Sequence, residues 1–243
     1  MNYSFLQCGE GALTVHLGDG IDPAINRRVT ALQGAIGSAG LRGITDLIPA
    51  YADLTVCYDC TVISAKALQR QLRRLLDSLS VAGQDRRRVF RLPVCYGGDY
   101  GPDLDFVCRH SGLSAQEVIA LHSAPDYLIY MLGFLPGFAY LGGLDPRLHT
   151  PRLDSPRTCI PAGSVGIGGA QTGVYPLASP GGWQLLGRTP VSVFDRQRQE
   201  PILYRAGDLV HFVPISPAEY EKIARAVAAG TYTVQVEEVP VCD

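Results

Sequence analysis

Lysine is nearly absent from this chain of 243 residues: Lys66 and Lys222 are the two lysines among 21 basic residues, and all the others are arginine. Positive charge therefore comes almost entirely as planar forks suited to bidentate binding of carboxylate or phosphate. Charge of either sign is sparse, at 18% of residues, and the formal net charge is −2. That balance leaves no long-range field for drawing in nucleic acid, so no nucleic-acid partner is expected. No run approaches the roughly 20 apolar residues of a membrane-spanning helix, and no membrane partner is expected. The opening Met1–Leu17 lacks a basic segment followed by an apolar one, which predicts no secretory signal. Seven scattered cysteines fit reduced thiols and a cytoplasmic location. Cys57 and Cys60 form a lone C-x-x-C on a predicted strand, a setting that suits neither zinc nor redox chemistry. What is plentiful is apolar material, at 47%, enough for globular cores.

The length suits two small domains. The first, placed at residues 1–85, reads as α+β. Short strands at Ser4–Cys8 and Ala12–Leu17 meet at the turn Gly9-Glu10-Gly11. A helix follows, with Asp22 as N-cap and Pro23 in its first position. Ile25, Val29, Leu32 and Ile36 fall on one face of it. Two more strands are expected at Gly43–Ile48 and Asp53–Tyr58, then a helix from Ser64 burying Leu68, Leu72, Leu75, Leu76 and Leu79. Its Lys66, Arg70, Arg73 and Arg74 read as solvated surface. The order ββαββα predicts helices layered on an antiparallel sheet.

Ala82–Arg88 is polar and basic and reads as the link to a second domain at residues 86–243. A strand is expected at Val89–Tyr96. Ser114 with Glu117 forms a capping box, and Leu113 with Val118 a hydrophobic staple. The device recurs where Ser216, Pro217 and Glu219 start a last helix, with Gly230 placed to end it. Between these helices the chain reads as short strands separated by Gly/Pro turns, which predicts a β-barrel or sandwich.

Residues 133–190 concentrate the information, holding 12 of the 27 glycines and 8 of the 17 prolines. The charges there are Asp145, Asp154, Arg147, Arg152, Arg157 and Arg188. Glycine permits close backbone approach and proline fixes φ, so rigid turns with backbone N–H groups aimed at an anion are one reading. The other is that a barrel needs tight turns, with arginines on its rims; composition weighs the two evenly. The run Gly163-Ser164-Val165-Gly166-Ile167-Gly168-Gly169 is phosphate-friendly but lacks the Lys-Ser/Thr of a P-loop, and no βαβ context supports a dinucleotide fingerprint. The five histidines show no metal spacing, so no metal site is expected. His149, between Arg147 and Arg152, is the histidine to watch. Trp183 after a Gly pair reads as core or as a pocket wall, while Phe134, Phe138, Tyr140 and Tyr175 read as barrel core. Gln171 and Thr172 offer neutral groups of the kind that orient a small amide.

Read in order, these pieces resemble a known family. Gly133-Phe134-Leu135-Pro136-Gly137-Phe138-Ala139-Tyr140-Leu141 is similar to its GF-x-PGF-x-YL signature, and Pro151-Arg152…Pro156-Arg157…Pro161-Ala162-Gly163-Ser164-Val165-Gly166-Ile167 to its PR…PR…PAGSV-x-I block. Gln171–Pro176 and Ser179–Gly187 complete the set, with Pro93–Gly98 and Gly207–Pro214 matching outside it. This is the family of allophanate hydrolase subunit 1 and the kinase inhibitor KipI. Leu121-His122-Ser123 and Gly166–Ala178 look closest to the B subunits of its bacterial 5-oxoprolinase branch.

The resemblance implies an α+β domain followed by a cyclophilin-like β-barrel. It implies one component of an ATP-dependent enzyme opening 5-oxo-L-proline, a lactam, to L-glutamate, inactive without two partners, the carboxyltransferase-like C subunit plus the A subunit. ATP with magnesium is the implied cofactor, its site on this chain or shared, and no Met-Lys acceptor for biotin occurs. On that footing, anion binding is expected from the catalytic candidates Arg152 and Arg157, with His149 beside them and the N–H groups of Gly163, Ser164, Gly166 and Gly168 assisting. Gln171 and Tyr175 would orient substrate, while Gly137, Phe138, Pro161, Gly181, Gly182 and Trp183 would shape the pocket. The family also leaves room for urea- or allophanate-directed chemistry, and for a KipI-like inhibitor that acts only by binding.

Overall fold

The computed structural model describes residues 3–79 and 86–240, and the chain divides into two compact units, Met1–Gln84 and Asp85–Asp243. In the first, β1 (Ser4–Cys8), β2 (Ala12–His16), α1 (Pro23–Ala39), β3 (Ile44–Pro49), β4 (Asp53–Tyr58) and α2 (Ala65–Asp77) follow one another in the expected ββαββα order. The sheet is antiparallel throughout, in the order β1-β2-β4-β3. Each helix starts where its cap dictates. Asp22 accepts from the Ala24 N–H at 2.7 Å, and Ser64 from the Ala67 N–H at 3.3 Å, each satisfying a donor that the first turn leaves free. Val29, Leu32 and Ile36 of α1 and Leu68, Leu72 and Leu76 of α2 close with Leu13, Val15, Leu54 and Val56 into a separate core. Arg73 of the basic face of α2 is more than solvated surface, because its guanidinium lies 5.1 Å from the centre of the Phe5 ring.

The second unit is a closed barrel. Its strands are β5 (Arg86–Tyr96), β6 (Tyr127–Leu132), β7 (Ala139–Gly142), β9 (Ser164–Gly168), β10 (Gln171–Val174), β12 (Gln184–Arg188) and β13 (Leu209–Pro214). They run in the order β12-β9-β10-β7-β6-β13-β5, and β12 pairs with β5 to complete the ring. A short ladder of β8 (Arg157–Ile160) and β11 (Ser179–Gly181) stands beside it. The helices are α3 (Leu104–Ser111), α4 (Ala115–Ser123) and α5 (Pro217–Ala228), and β14 (Gln235–Pro240) adds to the N-terminal half of β5. Both predicted capping boxes form, at Ser114/Glu117 and Ser216/Glu219.

Three expectations change. Residues 82–85 of the predicted link lie outside the described residues, but Arg86–Arg88 are strand rather than link. Their charges are matched: Arg88 donates two hydrogen bonds to Asp208, at 3.0 and 2.6 Å, and Arg86 pairs with Glu238 at 3.5 Å. The helix α3 was not expected, although Asp103 stands at its N-cap and Asp105 in its first turn; the Asp103 side chain makes no cap bond. Nor did β14 stand out, being held by pairing with β5 rather than by its own pattern.

Candidate functional site

The outer face of the barrel wall explains the glycines. Along β9 and β10, Val165, Ile167 and Val174 enter the main core, and alternation turns Gly166, Gly168 and Gly173 the other way. A second, small cluster of Phe138, Ile160, Tyr175, Trp183 and Leu185 lies there. A Cβ on Gly168 would overlap the Trp183 indole, and one on Gly173 would meet Trp183 at 3.3 Å and Phe138 at 3.5 Å. One on Gly181 would stand 2.6 Å from the Tyr175 hydroxyl and 2.7 Å from Ile160. The glycines are a floor that lets rings lie on backbone. Phe138 is the hub, edge-on to Phe134 (5.6 Å), Tyr140 (5.2 Å), Tyr175 (5.6 Å) and Trp183 (5.5 Å), the geometry aromatic pairs favour.

This arrangement corrects the expectation of an anion nest in Gly163–Gly169. Ser164–Gly168 is a strand paired on both sides, with β10 and with β12. The flanking donors are committed as well: Gly163 N–H to Tyr175 O at 2.7 Å, Ser164 N–H to Pro161 O at 3.3 Å, and Gly169 N–H to Thr150 O at 2.8 Å. A backbone already hydrogen-bonded within the sheet has no donors to turn toward a phosphate. The Ser164 side chain is fully buried, and its hydroxyl has no hydrogen-bond partner among the described residues. Pro161 is exposed at the start of this strand, and Gln171 sits half-buried opposite Gly168.

The two arginines separate into different roles. Arg157 is already occupied: its guanidinium donates to Asp103 at 2.6 Å and to the Trp183 carbonyl at 3.3 Å. The other oxygen of Asp103 accepts the Leu185 N–H at 2.7 Å. Arg157 and Asp103 thus pin β12 and the indole in place. Arg152 is exposed, lies 5.9 Å over the Trp183 ring, and forms no side-chain hydrogen bond or ion pair among the described residues. A guanidinium resting on an aromatic face keeps its fork open for an anion. Its loop is tied down by Leu153 N–H to Gly182 O at 2.7 Å and by Gln184 donating to Pro151 O at 3.0 Å. Burial pushes the Tyr175 phenol up, opposed first by the Arg152 charge, then by the Trp183 backbone N–H and Arg157. Arg152, Tyr175 and Trp183 therefore share one neighbourhood.

His149 makes no side-chain contact with Arg152, Tyr175 or Trp183 among the described residues. It is exposed at the end of the 3₁₀ turn Pro146–Leu148, in the field of Asp145 rather than of Trp183. Gly137 adopts φ +83 in the hairpin between β6 and β7, and its carbonyl accepts from Tyr204 at 3.0 Å. Phe138 and Tyr175 are buried, but in the small cluster outside the barrel rather than in the barrel core expected of them, and Tyr140 is half-buried against that cluster. Phe134 overturns its assignment to the barrel core, with 65% of its surface exposed.

Two features of the site and barrel had gone unseen. The role of Asp103 in the site carries no local sequence signal, since its partners lie 54 and 82 residues away. Inside the barrel, His122 is fully buried, 2.8 Å from the Tyr96 hydroxyl through Nδ1 and 2.7 Å from Thr172 through Nε2. Thr172 gives its own proton to the Gly166 carbonyl at 3.0 Å. The Nε2 atom then carries the hydrogen, and because burial keeps the imidazole neutral, Nδ1 accepts from Tyr96. Burial pushes its pKa down to about 3.

The family described as carboxyltransferase domain, subdomain C and D, matches residues 3–204. The B subunit of 5-oxoprolinase from Bacillus subtilis is 42% identical over 230 residues, covering 90% of this chain and 96% of that protein. A crystal structure of TTHA0988 superposes with a TM-score of 0.74 at 41% identity over 84% of this chain, which spans only 40% of that one. Urea amidolyase of K. lactis shares the fold, with a TM-score of 0.82 over 98% of this chain and 16% of its own, at 23% identity. With the family match running from the first strand to Tyr204, and that identity extending over nearly the full length of a relative, the chain belongs to the carboxyltransferase domain, subdomain C and D, family.

Proposed function

We propose that this chain is the B subunit of an ATP-dependent 5-oxoprolinase, working with the A and C subunits to open 5-oxo-L-proline to L-glutamate. The name of the 42%-identical relative supports the activity. The observation that carries the site is the open guanidinium of Arg152 on the Trp183 face. One uncommitted cation suits one carboxylate, and 5-oxoproline has one. A triphosphate with magnesium calls for several cations or an array of free N–H groups. Here Arg157 is paired and the N–H groups of the glycine run are engaged in the sheet. No cluster of three or more His, Cys, Asp or Glu able to hold a metal occurs among the described residues. These features favour a partner protein for ATP and magnesium. This chain's part is to hold the lactam: the exposed Arg152 pairs with its carboxylate, and Trp183 beneath the guanidinium holds the fork in place.

The test is the assembled enzyme, made by co-expressing this chain with the A and C subunits and assayed for glutamate release from 5-oxoproline with ATP. Arg152→Ala is expected to lower kcat/KM at least tenfold, about 1.4 kcal/mol of transition-state stabilisation. Full activity in that variant removes Arg152 from the site. An assembly that releases no glutamate, while the chain alone inhibits histidine-kinase autophosphorylation, overturns the functional reading.

A further inference from the structure

Phe134 combines two properties that ordinarily exclude each other. Among the described residues it is the only non-glycine at positive φ (+63°), and at 65% it is also the most exposed large hydrophobic side chain. The backbone is forced by two consecutive turns. Leu135 N–H donates to Gly133 O at 2.7 Å, closing a three-residue γ-turn with Phe134 at its centre, the strained, rare form at this sign of φ. Phe138 N–H then donates to Leu135 O at 3.0 Å, across Pro136 and a Gly137 at φ +83, the residues a type II turn requires. Gly133 N–H to Phe138 O, at 3.2 Å, clamps the base. Glycine at position 134 would adopt this conformation without the cost of about 1–2 kcal/mol that a side chain incurs there. The edge-on contact with Phe138 offsets that cost at most in part, and strain held against an exposed aromatic marks a working residue.

The ring's surroundings indicate what it works on. It stands edge-on to Phe138, which touches Trp183 and Tyr175, and Arg152 lies over Trp183. From Tyr127 to Leu144 the chain has no charged side chain, so the hairpin tip offers only apolar contact. Successive contacts thus link an uncharged, exposed ring at Phe134, through Phe138 and Trp183, to the Arg152 cation. A ligand with a carboxylate on an otherwise apolar ring has the same polarity. We propose that Phe134 is a specificity-determining residue that covers the ring methylenes of the cyclic amide while Arg152 holds its carboxylate.

This inference rests on the functional reading above, and its test separates the two. In the assembled enzyme, Phe134→Ala is expected to raise KM for 5-oxoproline at least fivefold, with kcat within twofold and KM for ATP unchanged. Phe134→Leu recovers part of the loss. Phe134→Gly shows the same KM defect in a chain at least as stable as the parent, because it relieves the turn; it carries the test if the alanine variant does not assemble. An unchanged KM for 5-oxoproline in the glycine and alanine variants overturns the inference. So does loss of co-purification with the A and C subunits while the residual complex keeps the parent KM, a result that would make Phe134 an assembly contact. Failure confined to Phe134, with kcat/KM of Arg152→Ala still at least tenfold down, leaves the functional reading standing. A parent assembly without oxoprolinase activity takes both down.

Discussion

Glycine serves two distinct ends in the barrel wall, and the difference is measurable. Gly163 has φ +80, and a Cβ there would overlap the Thr189 carbonyl oxygen. Gly169 has φ +67 but open space around it. Gly163→Ala is therefore expected to cost about 3 kcal/mol or more, combining left-handed strain with overpacking. Gly169→Ala should cost only about 1 kcal/mol, the conformational part alone. Urea unfolding followed by fluorescence of Trp183, the chain's only tryptophan, reports both, and equal costs would refute the distinction. The importance of these glycines was legible in the sequence as density and motif; their purpose was not. Composition weighed an anion nest against barrel turns, and neither describes a floor beneath an indole. Strand alternation hinted at it, because the glycines at 166 and 168 and at 173 share the parity of one sheet face. Which rings lie on that face depends on Phe138 and Trp183 arriving from other segments.

At the scale of elements, the staple formed by Asp103 holds the site together. Its carboxylate joins the start of α3 to Arg157 of β8 and to the backbone of β12, and its own N–H donates to Leu185 O at 3.0 Å. Asp103 is nearly buried and Arg157 mostly so, with side-chain exposures of 12% and 29%. Removing one partner leaves a charge largely out of water, so Asp103→Ala is expected to cost about 3 kcal/mol. A cost below about 1 kcal/mol, that of an exposed ion pair, would show the staple to be ornamental. The helices with side-chain caps were legible at their first residue: Asp22, Ser64, Ser114 and Ser216 each accept from the N–H their position dictates. By contrast, α3 was missed although Asp103 and Asp105 suit a helix start, and the Asp103 carboxylate goes to Arg157 and Leu185 instead of capping; Arg86–Arg88 read as a link because the acids that pair with Arg86 and Arg88 come more than 100 residues later.

For the whole molecule, the consequence to test is acid sensitivity of the barrel. His122 is neutral in the fold, with its pKa lowered by burial from 6.5 to about 3. Unfolding lets it bind a proton across that window, so the unfolded state carries more protons and stability falls as pH drops below about 6.5. At about 1.4 kcal/mol per pH unit, the loss between pH 6.5 and 4 is about 3 kcal/mol. His16, raised by its hydrogen bond to Asp53, has the opposite sign: its contribution is full below 6.5 and lost as pH rises through its folded value. The two separate because they lie in different units, and Trp183 reports only the barrel. His122→Gln is expected to flatten the Trp183-detected pH dependence between 6.5 and 4, even with a lower plateau. An unchanged slope would show that another group controls it.

The sequence by itself determined the two-part architecture, the ββαββα order, the capped helix starts and the family motifs of residues 133–190. Each is written in contacts a few residues long or in ordered motifs. Tertiary structure alone decided that Arg157 is tied to Asp103 while Arg152 stays open, that Gly163–Gly169 is wall rather than nest, and that Phe134 faces water while Phe138 is buried. Those outcomes depend on which distant carboxylate, ring or strand comes to lie against each residue, and local periodicity carries no record of partners 50 to 100 positions away.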